Sequence, residues 1–128
     1  MRLLAILLLI NACVRDETLT AYGADGSWKL HQLNGQPFSA TATIRFSEDG
    51  QIDGDAPCNA YSAVQTAPYP WFELGPILST KRACAALGVE QTYFAMLTEM
   101  TLAEVSGNVL ILSNDADQTL LFTKLPDG

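Results

Sequence analysis

Three cysteines are the residues of this chain with the widest choice of chemistry. A cysteine thiolate can attack a substrate, bind a metal or enter a disulfide, and a thiol can also carry a lipid. Cys13 stands shortly after an apolar run from Leu3 to Ile10, whereas Cys58 and Cys84 lie in the middle of the chain. The first cysteine and the internal pair therefore have different chemical contexts.

The segment before Cys13 has the parts of an export signal. Arg2 gives it a basic start, the apolar run follows, and small Ala12 stands where a peptidase would cleave. The run is much shorter than the about 20 residues that span a bilayer. A cysteine directly after the cleavage point resembles the lipobox of bacterial lipoproteins. We therefore predict a lipoprotein signal peptide over residues 1–12 and lipidation, such as palmitate, at Cys13; an ordinary signal peptide or a buried element are the alternatives.

This N-terminal prediction also gives an address. An exported chain with a lipid on Cys13 is attached to the cell envelope, and the resemblance to bacterial lipoproteins implies several acyl chains, which hold more firmly than one. Val14 stands where an aspartate would often retain a lipoprotein in the inner membrane, so we expect the outer membrane, facing the periplasm. Residues 13–26 are polar and aperiodic, and we predict that they form the lipidated cysteine and a flexible tether.

The internal cysteines have three readings. An even pair in an exported domain favours one disulfide between Cys58 and Cys84. Two free buried thiols or a metal pair are the alternatives. A zinc site would need more ligands, and His31 is the single histidine of the chain.

Charge and composition limit the partners. The whole chain carries a formal net charge of −7, which disfavours nucleic acid and anionic membrane surfaces because they carry the same sign. We expect no nucleic-acid partner. The length of 128 residues corresponds to one domain with a modest core.

Catalytic and metal-binding patterns are weak in this sequence. It has neither a nucleophile elbow nor a phosphate-binding glycine loop, and His31 falls on the polar face of its strand. Aligning Asp49 with the start of a calcium loop puts Ala60 where a bidentate glutamate is required. We predict no catalytic residues, no metal site, no cofactor and no enzyme activity.

Most of the chain after Trp28 has the pattern of short strands and turns. Residues 40–46 alternate, with Ala42, Ile44 and Phe46 on one face, and Asn34-Gly35 is a strong turn signal. Further strands are predicted at 28–33, 51–54, 59–66, 71–74, 102–105, 109–112 and 119–122. Residues 89–100 change to helical spacing, with apolar positions at 89, 93, 96, 97 and 100.

These elements predict an α+β domain over residues 27–125. We expect a mostly antiparallel curled sheet, or a partly open small barrel, with one helix on an end or face. Four aromatic residues could line a ligand cavity or a partner surface, although core positions would explain them equally well: Tyr61, Tyr69, Trp71 and Phe72.

The order of the motifs resembles the META domain, the family of HslJ-like bacterial heat-shock lipoproteins. The resemblance covers about residues 26–124, and its more specific part is the pair Cys58-Asn59-Ala60-Tyr61 and Ser79-Thr80-Lys81-Arg82-Ala83-Cys84. The remaining motifs are Trp28-x-Leu30, residues 46–54, the helix residues Glu90, Phe94 and Leu97, and the apolar runs 109–112 and 120–122. The resemblance implies a β-rich fold with one helix, a role in envelope stress tolerance, motility or virulence, and no known catalytic residues.

Two functions from different classes follow. The first is a membrane-anchored, non-catalytic binding or assembly module, or a stress-response module, with the membrane and an envelope protein as partners. The second is a carrier or sensor that holds a small apolar ligand in a cavity between helix and sheet. The sequence leaves the oligomeric state open.

Overall fold

The computed structural model describes residues 16–126, and these residues form an α+β domain with one antiparallel sheet and one α-helix. The predictions for residues 1–15, including the signal peptide and Cys13, lie outside the described residues. The elements are β1 (Gly26–Leu33), β2 (Gln36–Pro37), β3 (Thr43–Phe46), β4 (Gln51–Asp55), β5 (Ala60–Val64), β6 (Leu78–Ser79), α1 (Leu87–Glu99), β7 (Leu102–Ser106), β8 (Val109–Ser113) and β9 (Thr119–Lys124).

The sheet is curled but does not close into a barrel, so of the two predicted architectures the curled sheet is confirmed. Its order is β6-β5-β4-β3-β1-β9-β8-β7, with the short β2 paired to β1, and all pairings are antiparallel. β1 lies between β3 and β9, and a register shift between Leu30 and Gln32 bends its pairing with β9. Such a bulge increases the local twist, which helps the sheet to curl around its apolar face.

Alternation along the strands places the core where the sequence predicts it. Ala42, Ile44 and Phe46 are buried while Arg45 between them is exposed, and His31 is exposed in β1 as expected. Asn34 and Gly35 both have positive φ angles, of 53° and 78°. This pair of left-handed residues is the form of tight turn that matches strand twist, and it joins β1 to β2.

Helix α1 supplies the other side of the core. It begins two residues before the predicted start, and Tyr93, Met96 and Leu97 are buried on it. The predicted apolar face is wrong at one position, because Val89 is 40% exposed and Glu90 is buried instead. The helix is therefore rotated so that the Glu90 carboxylate faces inward, where it contacts the turn before β5.

The structure corrects the predicted tether. Residues 20–22 form a 3-10 turn, Leu19 is only 3% exposed, and Ala24 is fully buried. The Trp28 indole N–H donates to the Ala24 carbonyl at 2.9 Å. A flexible tether is therefore wrong for residues 19–26, since burial of these apolar side chains holds them against the domain.

The predicted strand at 71–74 is also wrong. Only isolated bridges are present, from Trp71 to Leu102 of β7 and from Leu74 to Gln65 after β5. Proline lacks the N–H that a ladder needs, and Pro68, Pro70 and Pro76 interrupt or bound this segment. Conversely, the two-residue strands β2 and β6 were too short for the alternation pattern to reveal.

Candidate functional site

A buried polar cluster joins the start of α1 to the turn before β5. The Glu90 carboxylate accepts hydrogen bonds from the backbone N–H groups of Cys58 and Asn59, at 2.8 and 2.9 Å. Its second oxygen accepts from Asn59 Nδ2 at 2.7 Å. Glu90 is in the first turn of the helix, where the helix dipole favours a negative charge. The carboxylate therefore holds the Cys58–Asn59 turn against the helix.

Asn59 extends the cluster to the segment after β6. Its side-chain oxygen accepts from Thr80 Oγ1 at 2.8 Å and from the Arg82 N–H at 2.6 Å, and its amide donates to the Arg82 carbonyl at 3.0 Å. One side chain thus satisfies both backbone groups of Arg82. This explains why a buried asparagine is used here, since it donates and accepts at the same time.

A disulfide between Cys58 and Cys84 closes the same region covalently. The disulfide reading of the internal cysteines is therefore confirmed, and the free-thiol and metal-pair readings are not needed. The bridge ties the Asn59 turn to the chain just before α1. Together with Glu90 and Asn59 it fixes the connections around the helix start.

The groups of this cluster are paired with one another and hold the chain in place. Among residues 16–126, every buried side-chain nitrogen and oxygen has a hydrogen-bond partner. Within the same range, no three His, Cys, Asp or Glu side chains are grouped to bind a metal ion. The sequence predicted the disulfide and named Glu90 without a role. The spacing of Glu90, Tyr93 and Leu97 on one helix face was the signal that could have identified it as buried.

Next to this cluster two tyrosine hydroxyls meet under the helix. The Tyr61 hydroxyl donates to the Thr43 carbonyl at 2.7 Å, so its oxygen accepts from the Tyr93 hydroxyl at 2.7 Å. Burial raises the pKa of Tyr61 well above the usual value, and the proximity of Tyr93 raises that pKa further. Burial also raises the pKa of Tyr93. Both phenols are therefore neutral in the folded protein at ordinary pH.

The structure separates the four aromatic residues predicted to line a ligand or partner surface, although Trp71 and Phe72 line the same cavity beside the end of α1. Tyr61 and Phe72 are only 3% and 2% exposed and belong to the core. Tyr69 is half-buried and Trp71 is 58% exposed. The core reading therefore holds for two of the four, because the curled sheet turns their side chains inward.

Tyr69 and Trp71 instead lie along β7 at the edge of the sheet, where the Tyr69 hydroxyl is bonded to Val105 and Trp71 is bridged to Leu102. Together with Tyr22 they make up the exposed aromatic face. Tyr22 stacks on Tyr69 with ring centroids 4.5 Å apart and an interplanar angle of 11°, and Tyr22 is 44% exposed. The Tyr69 N–H donates to the Glu17 carbonyl at 2.7 Å, and the Tyr69 hydroxyl accepts from the Val105 N–H at 3.1 Å. The sequence does not single out Tyr22, because the polar, aperiodic pattern of residues 13–26 predicts a tether there.

One cavity, of about 160 Å³, lies between the start of the described chain and the turn that joins β3 to β4, away from the helix. Leu19, Phe46 and Ile52 supply apolar parts of its wall, and Gln65 lies at its rim. Pockets for drug-sized ligands are usually about 300 Å³ or larger. Under the helix, Tyr93 and Leu97 are fully buried against the sheet core. A larger and more open cavity, of about 420 Å³, borders the end of α1, where Trp71, Phe72 and Leu74 face Met100. A ligand between helix and sheet therefore stays a prediction.

No helix in the described part of the chain has the length and apolar character needed to cross a membrane.

Comparison with known proteins identifies relatives of the fold. The family model of the META domain matches residues 17–127. A protein from Burkholderia xenovorans with an NMR structure is 22% identical, with a TM-score of 0.69 over 84% of this chain and 87% of that one. A DUF4847 family protein from Bacteroides vulgatus ATCC 8482, seen in a crystal structure, is 13% identical, with a TM-score of 0.69 over 87% of this chain and 100% of the other. A search of curated proteins finds no match.

Proposed function

Because the chain belongs to the META domain family, we propose that it is an exported, lipid-anchored envelope protein whose domain acts as a non-catalytic binding or assembly module. The observation that carries the proposal is the assignment of the cysteines. Cys58 and Cys84 are bonded to each other, and the chain has three cysteines in total. Cys13, placed directly after an export-like segment, is therefore the cysteine available for acylation.

The disulfide and the paired polar groups of the domain both support this role. A disulfide is typical of an oxidising compartment outside the cytosol. The polar groups gathered near α1 are engaged with one another, so they support a rigid scaffold better than a reaction. We place the protein at the outer membrane, facing the periplasm, with an envelope protein as its partner and a role in the response to envelope stress.

Acylation is tested by expressing the full chain in a bacterial host fed with a labelled fatty acid. We expect label in the protein and an intact mass that corresponds to a chain starting at Cys13 with acyl groups added. A Cys13→Ser chain is the matched control and should carry no label. Recovery of the native chain without lipid mass would contradict the proposal.

Partner binding needs a separate experiment. Crosslinking in membranes, with the Cys13→Ser chain as control, should recover the same envelope protein repeatedly from the native chain alone. Separating inner from outer membranes and measuring the protein in each fraction tests the proposed location at the outer membrane. Repeated crosslinking without a recurring partner would count against the assembly role while leaving the anchor intact.

A further inference from the structure

The point at which the fold begins limits how far a lipid on Cys13 can be from the domain. The Glu17 carbonyl is bonded to Tyr69, and Leu19 is packed in the core. Only four residue steps separate Cys13 from Glu17, and an extended chain covers at most about 3.6 Å per residue, or about 14 Å. This reach is less than half the thickness of the hydrocarbon core of a bilayer, which is about 30 Å. A lipid on Cys13 would therefore hold this end of the domain close to the membrane surface.

The surface at that end has the side chains that favour a membrane interface. Tyr22 and Trp71 are exposed, and Tyr22 stacks on the half-buried Tyr69. The other tryptophan, Trp28, is fully buried. Tyr and Trp have an apolar ring and a polar tip, and they concentrate at the level of lipid headgroups. The hydrogen bond from Val105 to the Tyr69 hydroxyl also fixes that ring in place.

We infer that the exposed aromatic face of Tyr22, Tyr69 and Trp71 docks on the interface of the bilayer that carries the Cys13 lipid. The inference rests on the proposed acylation, because the short connection holds the face at the surface. A contact too weak to bind free protein then becomes populated, since tethering makes it intramolecular. A partner protein or a second copy would have to occupy the same narrow space next to the bilayer.

Charge selects the kind of lipid surface. Asp16 and Glu17 are exposed at the edge of this face, and the chain as a whole is acidic. Negative headgroups would repel these carboxylates. The docking surface is therefore zwitterionic, and anionic lipid should weaken the contact at low salt.

The experiment uses a chain that begins at Cys13, with its thiol coupled to a maleimide lipid in phosphatidylcholine vesicles. The internal disulfide leaves Cys13 as the coupling site. Trp71 is the reporter, because buried Trp28 contributes a constant background that a Trp71→Phe chain measures. We expect a blue shift of Trp71 emission, strong quenching by lipids brominated near the headgroup, and a severalfold loss of quenching by aqueous iodide.

The matched control moves the reporter to the opposite end of α1. Val89 is exposed in the first turn of the helix, whereas Trp71 lines the same cavity as Thr98 and Glu99 in its last turn. In a Trp71→Phe, Val89→Trp chain the new reporter should remain accessible to iodide after coupling. Equal protection at both positions would contradict docking through the aromatic face.

The outcomes separate this inference from the proposed function. Coupled protein that floats with the vesicles but keeps Trp71 fully accessible to iodide would overturn the docking. Stronger protection on phosphatidylglycerol vesicles than on phosphatidylcholine would overturn the zwitterionic assignment. A native chain that proves unacylated, although coupled protein shows Trp71 at headgroup depth, would refute the natural anchor and leave the docking chemistry standing.

Discussion

Two aromatic groups in this domain use the same residue types for different ends. The inner aromatic cluster, made of Phe38, Tyr61, Tyr93 and Phe94, lies at the helix–sheet contact. The exposed aromatic face of Tyr22, Tyr69 and Trp71 lies beside β7 at the edge of the sheet. Substitutions in the inner cluster should lower the free energy of unfolding, whereas substitutions in the exposed face should change how the lipid-coupled protein is oriented on the membrane.

The polar partners of the two groups explain the contrast. In the inner cluster the hydroxyls of Tyr61 and Tyr93 satisfy each other and the Thr43 carbonyl, and the adjacent Glu90 cluster closes the helix start. In the exposed face, only Tyr69 has a hydrogen bond to β7, and the Trp71 side chain extends into solvent. A buried aromatic group with satisfied hydroxyls is a structural element, and an exposed one is available for contact.

Removing the carboxylate of Glu90 is the strongest test of the inner region. Glu90→Ala leaves three donors without their acceptor: the N–H groups of Cys58 and Asn59 and the Asn59 amide. Unsatisfied buried donors cost about 1–3 kcal/mol each when water cannot replace the partner, and partial hydration lowers the sum, so we expect a loss of about 3–5 kcal/mol. Urea denaturation followed by circular dichroism measures the change in the free energy of unfolding.

Glu90→Gln is the control for shape. A glutamine has the same length and keeps one carbonyl oxygen, but its NH₂ would face the NH₂ of Asn59. We expect a smaller loss, of about 1–3 kcal/mol. Equal stability of Glu90→Ala and the native chain would mean that the carboxylate does not hold the turn.

The disulfide is the next largest contribution in that region. It links residues 26 positions apart, and closing a loop of this length contributes about 3.5 kcal/mol in the chain-entropy model. Replacing both Cys58 and Cys84 by alanine should lower the free energy of unfolding by about that amount. Reduction of the native chain should produce the same shift of the urea midpoint, while the double variant should not respond to reductant.

The sequence predicted the sheet well because alternation is a local property. Ile44 and Phe46 face the core as their spacing requires, and the Asn34-Gly35 turn needs only two residues to be recognised. The disulfide followed from counting cysteines. Glu90 was named without a role, because the spacing that puts it on the face of Tyr93 and Leu97 does not reveal its partner Asn59, which is 31 positions away.

The exposed aromatic face could not be recovered from the sequence for a related reason. Residues 19–26 are polar enough to predict a tether, but two apolar side chains, Leu19 and Ala24, are enough to hold them on the domain. Tyr22 meets Tyr69 only after this packing. The exposed aromatic face therefore depends on tertiary packing. The sequence identified Tyr69 and Trp71 as candidates but not Tyr22, which packs beside Tyr69.

The tyrosine pair gives a smaller, pH-dependent effect. Burial has the largest effect on both hydroxyls, and it raises the pKa of Tyr61 and of Tyr93 above the unfolded value of about 10. Stability should be complete below pH 10 and fall above it, by up to about 1.4 kcal/mol per pH unit for each group. Tyr93→Phe should cost about 1 kcal/mol at neutral pH through the lost hydrogen bond to Tyr61.

The Tyr93→Phe chain also provides the control for the alkaline transition. With one raised group fewer, its stability should fall less steeply above pH 10 than that of the native chain. Urea midpoints between pH 8 and pH 11 measure both slopes. Parallel slopes would mean that Tyr93 is not ionising on unfolding in this range.

The smallest effect on stability is expected in the exposed face, and it makes the contrast between the regions sharpest. Trp71 is 58% exposed and its link to Leu102 is through the backbone, so Trp71→Ala should change the free energy of unfolding by no more than about 1 kcal/mol. The same substitution removes the largest exposed ring of the face. Lipid-coupled Trp71→Ala protein carrying a fluorophore at Ser62, a half-buried position of β5, should show a wider range of orientations to the vesicle in anisotropy measurements than the native chain. A loss of stability comparable to that of Glu90→Ala would mean that Trp71 is part of the core, and the distinction between the two aromatic groups would fail.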